Sequence, residues 1–284
     1  MQAKSYFLAI GSILFWTTLA TIITQLRHLP SFFLLGAGLL VGGLIGLLFL
    51  NKEKPSIKKI AAAVFGIFGF HLFLFIAFKI APPVEANLIN YLWPLLLVVF
   101  TPLFFRNMRL HWNHLIGILM GFGGALLVVS GGQFQLTGTY LLGYFLALIS
   151  GITWAIFTLI SKKLAPFESI NIAYGCFISS ILAFAYHFLF EPSFIPGMKE
   201  VGFILYLGAG PMGAAFYFWN GALKHGDPRI IGSLAYLTPL FSTLLLTTVT
   251  SGRLTIYTGF AMVLIIGGAW VSSLQSGSKK KQTC

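Results

Sequence analysis

The chain has 284 residues, of which 57% are hydrophobic, 16% aromatic and 8% charged, with a mean hydropathy of +0.90. A soluble domain carries about 25% charged residues, so this composition excludes a soluble enzyme, a disulfide-stapled secreted domain and a disordered chain. The 18 Lys and Arg against 6 Asp and Glu give a net charge of +12, but these cations sit between apolar blocks, the pattern of membrane topology rather than of a nucleic-acid surface.

A hydrocarbon core of about 30 Å needs about 20 helical residues, and ten blocks meet that length. The first, 3–25, is longer than a signal-peptide core and reads as span 1. Arg27-His28-Leu29-Pro30 separates it from span 2 (31–50), and Asn51-Lys52-Glu53-Lys54-Pro55 precedes span 3 (57–80). Pro82-Pro83 introduces span 4 (84–105), and Arg106-Asn107-Met108-Arg109 precedes span 5 (112–131). Span 6 (139–161) ends at Lys162-Lys163, and span 7 (168–190) follows. Span 8 (199–223) is divided from span 9 (229–250) by Gly226-Asp227-Pro228; span 10 (254–274) and a basic tail (275–284) complete the chain. Loops this short leave no room for a soluble domain, so the expected fold is all-α and embedded in the bilayer.

Alternate loops divide the Lys and Arg residues unevenly. The set containing Lys4, the 2–3 loop with the start of span 3, the 4–5 loop, Lys162, Lys163, Lys224, Arg229 and the tail holds 14 of them; Arg27, Lys79, Lys199 and Arg253 are the 4 on the other side. The excess predicts that both termini are cytoplasmic, which requires an even number of spans.

The two halves resemble each other. With a register shift of 145, Ala77, Lys79, Pro83, Tyr91, Leu92, Pro94 and Leu95 match Ala222, Lys224, Pro228, Tyr236, Leu237, Pro239 and Leu240. These are 7 identities over 19 positions, where about two are expected by chance. A shift of 138 pairs Ala9, Ser12 and Trp16 with Ala147, Ser150 and Trp154. Five spans per half put the copies, 1–131 and 139–274, in opposite orientations, an inverted-topology repeat. Such repeats are a transporter signature, with the substrate held near the midplane between the copies.

A ten-span 5+5 inverted repeat with Tyr91-Leu92-Trp93-Pro94 in span 4 and Tyr236-Leu237-Thr238-Pro239 in span 9 resembles the drug/metabolite transporter superfamily, EamA type, and within it the aromatic amino acid exporters. The resemblance covers essentially the whole chain. It implies a monomer with a central cavity lined by spans 1, 3, 4, 6, 8 and 9, in a bacterial inner membrane. It also implies export of amino acids such as Phe, Tyr, Trp, Met or Thr, or of similar small metabolites.

The residues themselves narrow the chemistry. All six acids fall in loops or at span ends, where a proton or sodium relay would place one inside the membrane; facilitated diffusion is therefore expected. His71, about two-thirds along span 3, is the exception to this placement at loops and span ends, able to bind substrate or to couple protons. Lys79 and Lys224 read as carboxylate-steering groups or as snorkelling anchors at opposite faces. Trp16, Trp93, Trp154, Tyr91 and Tyr236 offer flat walls with polar tips, and cation–π attraction suits an ammonium. Asn87 and Asn90 in span 4, on the way to Pro94, and Asn220 in span 8 supply amides, with Asn87, Tyr91 and Pro94 expected on one helix face. Pro94 and Pro239 each free a backbone carbonyl and are the expected hinges. The glycines of spans 2 and 5 (Gly38, Gly42, Gly117, Gly121, Gly124) read as close-packing positions. No catalytic constellation, metal set, cofactor motif or nucleic-acid patch is seen, so the expected partners are a small amino acid-like molecule and the membrane lipids. The alternative is a transporter of another solute class, such as a nucleotide sugar, purine or drug, with His71 as a proton carrier.

Overall fold

The computed structural model describes residues 2–49, 54–131, 136, 138–249 and 256–274. Among these residues, ten helical segments are long and apolar enough to cross a membrane: Ala3–Gln25, Ser31–Leu48, Ile57–Ile80, Pro83–Phe104 and Trp112–Ser130 in the first half, then Gly138–Lys163, Ser169–Phe190, Met198–His225, Pro228–Val249 and Ile256–Ser273. These are spans 1–10. The basic tail at 275–284 lies outside the described residues.

Proline and its local sequence set several boundaries. Pro83 and Pro228 stand at the first turn of spans 4 and 9, where the missing N–H costs nothing and φ is already helical. Farther on, each of these spans is interrupted. Span 4 divides into Pro83–Asn90 and Trp93–Phe104, and span 9 into Pro228–Ala235 and Leu237–Val249. Pro94 cannot donate to the carbonyl of Asn90, which turns instead against span 6, where a Cβ on Gly151 would stand 3.1 Å from it. The break at Tyr91-Leu92 falls between Asn87 and Pro94, although the Tyr91 amide still donates to the Asn87 carbonyl at 2.9 Å, so Asn87 and Tyr91 stay one turn apart on the same helix.

The pairing of helices follows the repeat. Span 5 packs on its counterpart span 10 and span 2 on its counterpart span 7, while span 3 packs on span 6 and span 1 on span 8. Where spans 5 and 10 cross, a Cβ on either Gly117 or Gly268 would strike the other's carbonyl. Gly42 has equally little room, since a Cβ there would stand 2.6 and 2.9 Å from the carbonyl oxygens of Met212 and Gly208. The glycine spacing thus serves contacts inside the chain, as small residues do between membrane helices.

Two serine bonds display the inverted symmetry directly. Ser12 Oγ donates to the Ala215 carbonyl at 2.8 Å, and Ser150 Oγ donates to the Phe70 carbonyl at 2.8 Å. The donors are related by the shift of 138 and the acceptors by the shift of 145. On the pseudo-twofold itself, the Tyr236 hydroxyl donates to the Tyr91 carbonyl at 3.1 Å, joining the two helix breaks.

The halves also differ. Span 1 is interrupted at Thr18, between Gln2–Thr17 and Leu19–Gln25, whereas span 6 is continuous over Leu141–Lys163. Span 8 contains a π segment at Gly210–Ala214, whereas span 3 is continuous over Ile57–Ile80. Single-turn π segments within α-helices occur frequently at functional sites.

Candidate functional site

Four tryptophans from four spans meet between the halves. Trp16 ends the first helix of span 1, Trp93 starts the second helix of span 4, Trp154 lies midway along span 6, and Trp219 follows the π segment of span 8. The centroid of Trp16 lies 5.2 Å from Trp219, 6.0 Å from Trp154 and 6.4 Å from Trp93, and that of Trp93 is 5.6 Å from Trp219 and 6.5 Å from Trp154. Most of these contacts are edge-to-face, the geometry favoured by the ring quadrupole. Phe70 and Phe216 extend the set at 5.3 and 5.6 Å from Trp154. Trp93, Trp154 and Trp219 are buried at 7%, 4% and 2% exposure.

His71 adjoins this set, 4.9 Å from Phe70 and 6.5 Å from Phe216 between ring centres. Its Nδ1 lies 2.7 Å from the Ile67 carbonyl. A carbonyl only accepts, so Nδ1 carries the proton and Nε2 of the neutral ring is an acceptor. Among the described residues, neither that Nε2 nor the indole N–H of Trp93 or Trp154 makes a hydrogen bond. The other two indoles are occupied: Trp16 Nε1 donates to the Pro211 carbonyl in the π segment at 3.2 Å, and Trp219 Nε1 to Thr158 Oγ1 at 3.4 Å. The cluster therefore holds two free donors and one free acceptor in apolar surroundings, and none of its members carries a fixed charge.

The remaining residues singled out in the sequence lie around this cluster. Asn90 is 5% exposed with Oδ1 at 3.3 Å from Ser150 Oγ, while Asn87 and Tyr91 are half-buried. Asn220 donates to the Phe167 carbonyl in the 6–7 loop at 2.8 Å. Tyr236 is fully buried against Gly121 and bonded to Tyr91. Pro94 and Pro239 stand three residues beyond Tyr91 and Tyr236, where the helices break. Trp219 and Phe216 were not expected. By the shift of 145 their counterparts are Leu74 and His71, so the repeat does not mark them; the available signal is the aromatic run Phe216-Tyr217-Phe218-Trp219.

Lys79 and Glu191 lie at helix ends, in the last turn of span 3 and just beyond span 7. Lys79 bonds Glu191 at 3.0 Å and stands over the rings of Phe32 and Tyr186, 5.5 and 5.7 Å from their centres. Glu191 also accepts the Phe32 amide at the start of span 2 at 3.0 Å and lies 3.2 Å from His187 Nδ1. Burial by itself would raise the Glu191 carboxyl, but Lys79, His187 and the helix N-terminus together hold it below the ordinary range. Lys224, the counterpart of Lys79, is exposed.

The EamA-like transporter family matches the chain twice, over residues 3–130 and 141–274. Aromatic amino acid exporter YddG of Ancylobacter novellus is 34% identical over 286 aligned residues, covering 96% of this chain and 98% of that protein. The protein of the same name from Escherichia coli K12 is 26% identical over 194 residues, covering 66% of this chain and 65% of its own. A solved crystal structure superposes with a TM-score of 0.92 at 33% identity, covering 96% of this chain and 99% of that one.

Proposed function

Since this chain belongs to the EamA-like transporter family, and is therefore a membrane transporter and not an enzyme, we propose that it exports zwitterionic amino acids, aromatic ones foremost. The substrate site is the tryptophan cluster between the halves, and smaller neutral amino acids such as Met or Thr are also carried. The observation that supports this most is the unmatched polar set among the rings. The free indole N–H groups of Trp93 and Trp154 suit a carboxylate, the acceptor Nε2 of His71 suits an ammonium, and the ring faces suit an apolar or aromatic side chain. The absence of a fixed cation among these rings disfavours a nucleotide sugar or sugar phosphate.

The four indoles touch one another, so a substrate must part them. Alternating access would do this by rocking the halves about the breaks in spans 4 and 9, with Pro94 and Pro239 as hinges, Asn87, Asn90 and Tyr91 beside the path, and Tyr236 and Asn220 holding the helices that move. The protein acts as a monomer in a bacterial inner membrane, both termini in the cytoplasm, and transport runs down the substrate gradient.

Counterflow in proteoliposomes tests the assignment with labelled Phe, Tyr, Trp, Met and Thr beside nucleobases and cationic drugs. Exchange of the amino acids alone is expected, and faster exchange of a nucleobase or drug would sink it. Vesicle pH that changes in strict proportion to flux would move the driving force to proton exchange through His71. Replacing Pro94 with Ala should slow exchange about tenfold while leaving substrate affinity within about twofold; unchanged flux removes the hinge.

A further inference from the structure

The face that carries Gln2 and Leu274 holds a groove of about 770 Å³ between spans 1, 5, 9 and 10, apart from the cluster of Trp16, Trp93, Trp154 and Trp219. One part is apolar, lined by Ile10, Ile230, Leu234, Ala269 and Trp270. Ile10 and Trp270 are 38% and 64% exposed on helices that read as membrane-spanning, so this part opens sideways to lipid. The other part gathers Tyr6, His111, His114 and Arg229 where spans 5 and 9 begin.

His114 gives the polar part its character. It is 5% exposed, and its Nδ1 accepts the backbone N–H of His111 at 3.2 Å. With that lone pair used, the neutral ring carries its proton on Nε2. Nδ1 turns back to its own helix start, so Nε2 is the nitrogen presented to the groove, and it makes no hydrogen bond among the described residues. Among the described residues Asp227 is the one acid lining the groove, and both of its oxygens are taken by the backbone and guanidinium of Arg229 at 2.5–3.1 Å. Arg229 Nη1 in turn donates to the Arg109 carbonyl, so the Asp227–Arg229 pair is closed on itself; the donor left unmatched is the His114 Nε2–H, and there is no unpaired carboxylate to receive a cation. The positive end of the span 5 dipole adds to this, and Lys4, Arg106 and Arg109 are exposed at the same face.

We propose that this groove is a site for an anionic phospholipid of the leaflet on that face. The phosphate sits at His114 and the first turn of span 5, and an acyl chain runs along Ile10, Leu234 and Trp270. An amphiphile is required because the donor-rich and apolar parts form one groove that opens into the bilayer. A headgroup without an ammonium is favoured because the groove offers an added cation no unpaired carboxylate.

The test uses the full chain, purified in detergent, stripped of lipid and titrated separately with phosphatidylglycerol, phosphatidylcholine and inorganic phosphate, with adducts counted by native mass spectrometry. One phosphatidylglycerol should be held about fivefold to tenfold more tightly than phosphatidylcholine, with phosphate not retained. His114→Leu should abolish the preference. Trp270→Ala, at an exposed position that folding tolerates, should weaken both lipids and keep the preference. Equal affinity for the two lipids, retention of phosphate as strong as that of phosphatidylglycerol, or an unchanged preference in folded His114→Leu overturns the proposal. Should His114→Leu fail to fold, unchanged lipid affinities in Trp270→Ala overturn it alone.

Discussion

Spans 3 and 6 form one wall of the tryptophan cluster, and spans 8 and 1 form the wall related to it by the repeat. The same serine-to-carbonyl bond fastens each pair, yet their backbones differ. Spans 3 and 6 are continuous, while span 1 breaks at Thr18 and span 8 carries the π segment. Hydrogen bonding at the cluster divides the same way. The continuous wall holds His71 and Trp154 with a nitrogen free on each, while the interrupted wall has Trp16 bonded to the π segment itself. A repeat can thus keep its crossing contact and still assign different work to its two copies. We read the continuous wall as the one that binds and the interrupted wall as the one that yields.

The largest expected effect is on the continuous wall. Trp154→Ala removes a buried ring that touches five others and should abolish exchange in proteoliposomes. Trp154→Phe keeps a ring but loses the indole donor. A hydrogen bond to a charged group contributes about 1.5–3 kcal/mol, so substrate affinity should fall about 10- to 100-fold with little change in maximal rate. A Phe variant with unaltered affinity would transfer the carboxylate contact elsewhere and erase the distinction between the walls.

The next effect concerns how the continuous wall is anchored. Glu191 ties span 3, through Lys79, to the start of span 2, which in turn packs against the π segment. Glu191→Gln leaves Lys79 without its partner. Removing one member of a fully buried pair costs about 3–5 kcal/mol; Lys79 is 43% exposed and regains water, so about 2 kcal/mol is a fairer figure. The carboxyl is depressed in the folded protein, so its contribution is present above the ordinary glutamate value of about 4.3 and is lost as pH falls through the folded value. Thermal unfolding from pH 7 to pH 3 should show a lower melting temperature for the variant at pH 7 and a shallower decline towards acid. Parallel curves would mean that the bond carries no pH-dependent stability.

How much of this could be read beforehand depends on the kind of signal. Span ends followed from hydropathy and from Pro83, Pro228 and the charged loops, because a bilayer enforces both length and composition. The repeat register predicted that Tyr91 and Tyr236 correspond, and they touch at the pseudo-twofold. Trp16, Trp93 and Trp154 were legible because each is a bulky amphipathic ring within an apolar span. Trp219 and Phe216 were not, since among 29 Phe and 6 Trp composition does not tell a ring in the cluster from one facing lipid, and neither is matched in the other half. The π segment had a cue in Gly210-Pro211, a helix-breaking pair inside a long apolar run. The break at Thr18 had none, because it lacks both proline and glycine. His71 was visible as a lone imidazole in a span, but its tautomer depends on the Ile67 carbonyl, a contact that only the fold supplies.

On the interrupted wall, Trp16→Phe removes the indole N–H that holds the Pro211 carbonyl. The bond joins two neutral groups and contributes about 1 kcal/mol, which corresponds to a rate change of about fivefold. If this wall moves, the change should fall on the maximal exchange rate and leave substrate affinity nearly constant, the reverse of Trp154→Phe. An affinity loss as large as that of Trp154→Phe would place Trp16 among the binding groups and remove the division of labour.

The smallest effects come from the two serines, and they isolate the backbone from the contact. Ser12→Ala and Ser150→Ala delete equivalent bonds of 2.8 Å, each worth about 0.6 kcal/mol between membrane helices, so their effects on stability should match and should add in the double variant, since the bonds share no partner. Transport should separate them. Loosening Ser12 frees a wall already interrupted on both of its helices, so the exchange rate should hold or rise by about twofold. Loosening Ser150 softens the wall that positions His71 and Trp154, so affinity should fall by a similar factor. Identical transport by the two variants would mean that the Thr18 break and the π segment do not decide which wall moves, and that the halves contribute equally to the transition.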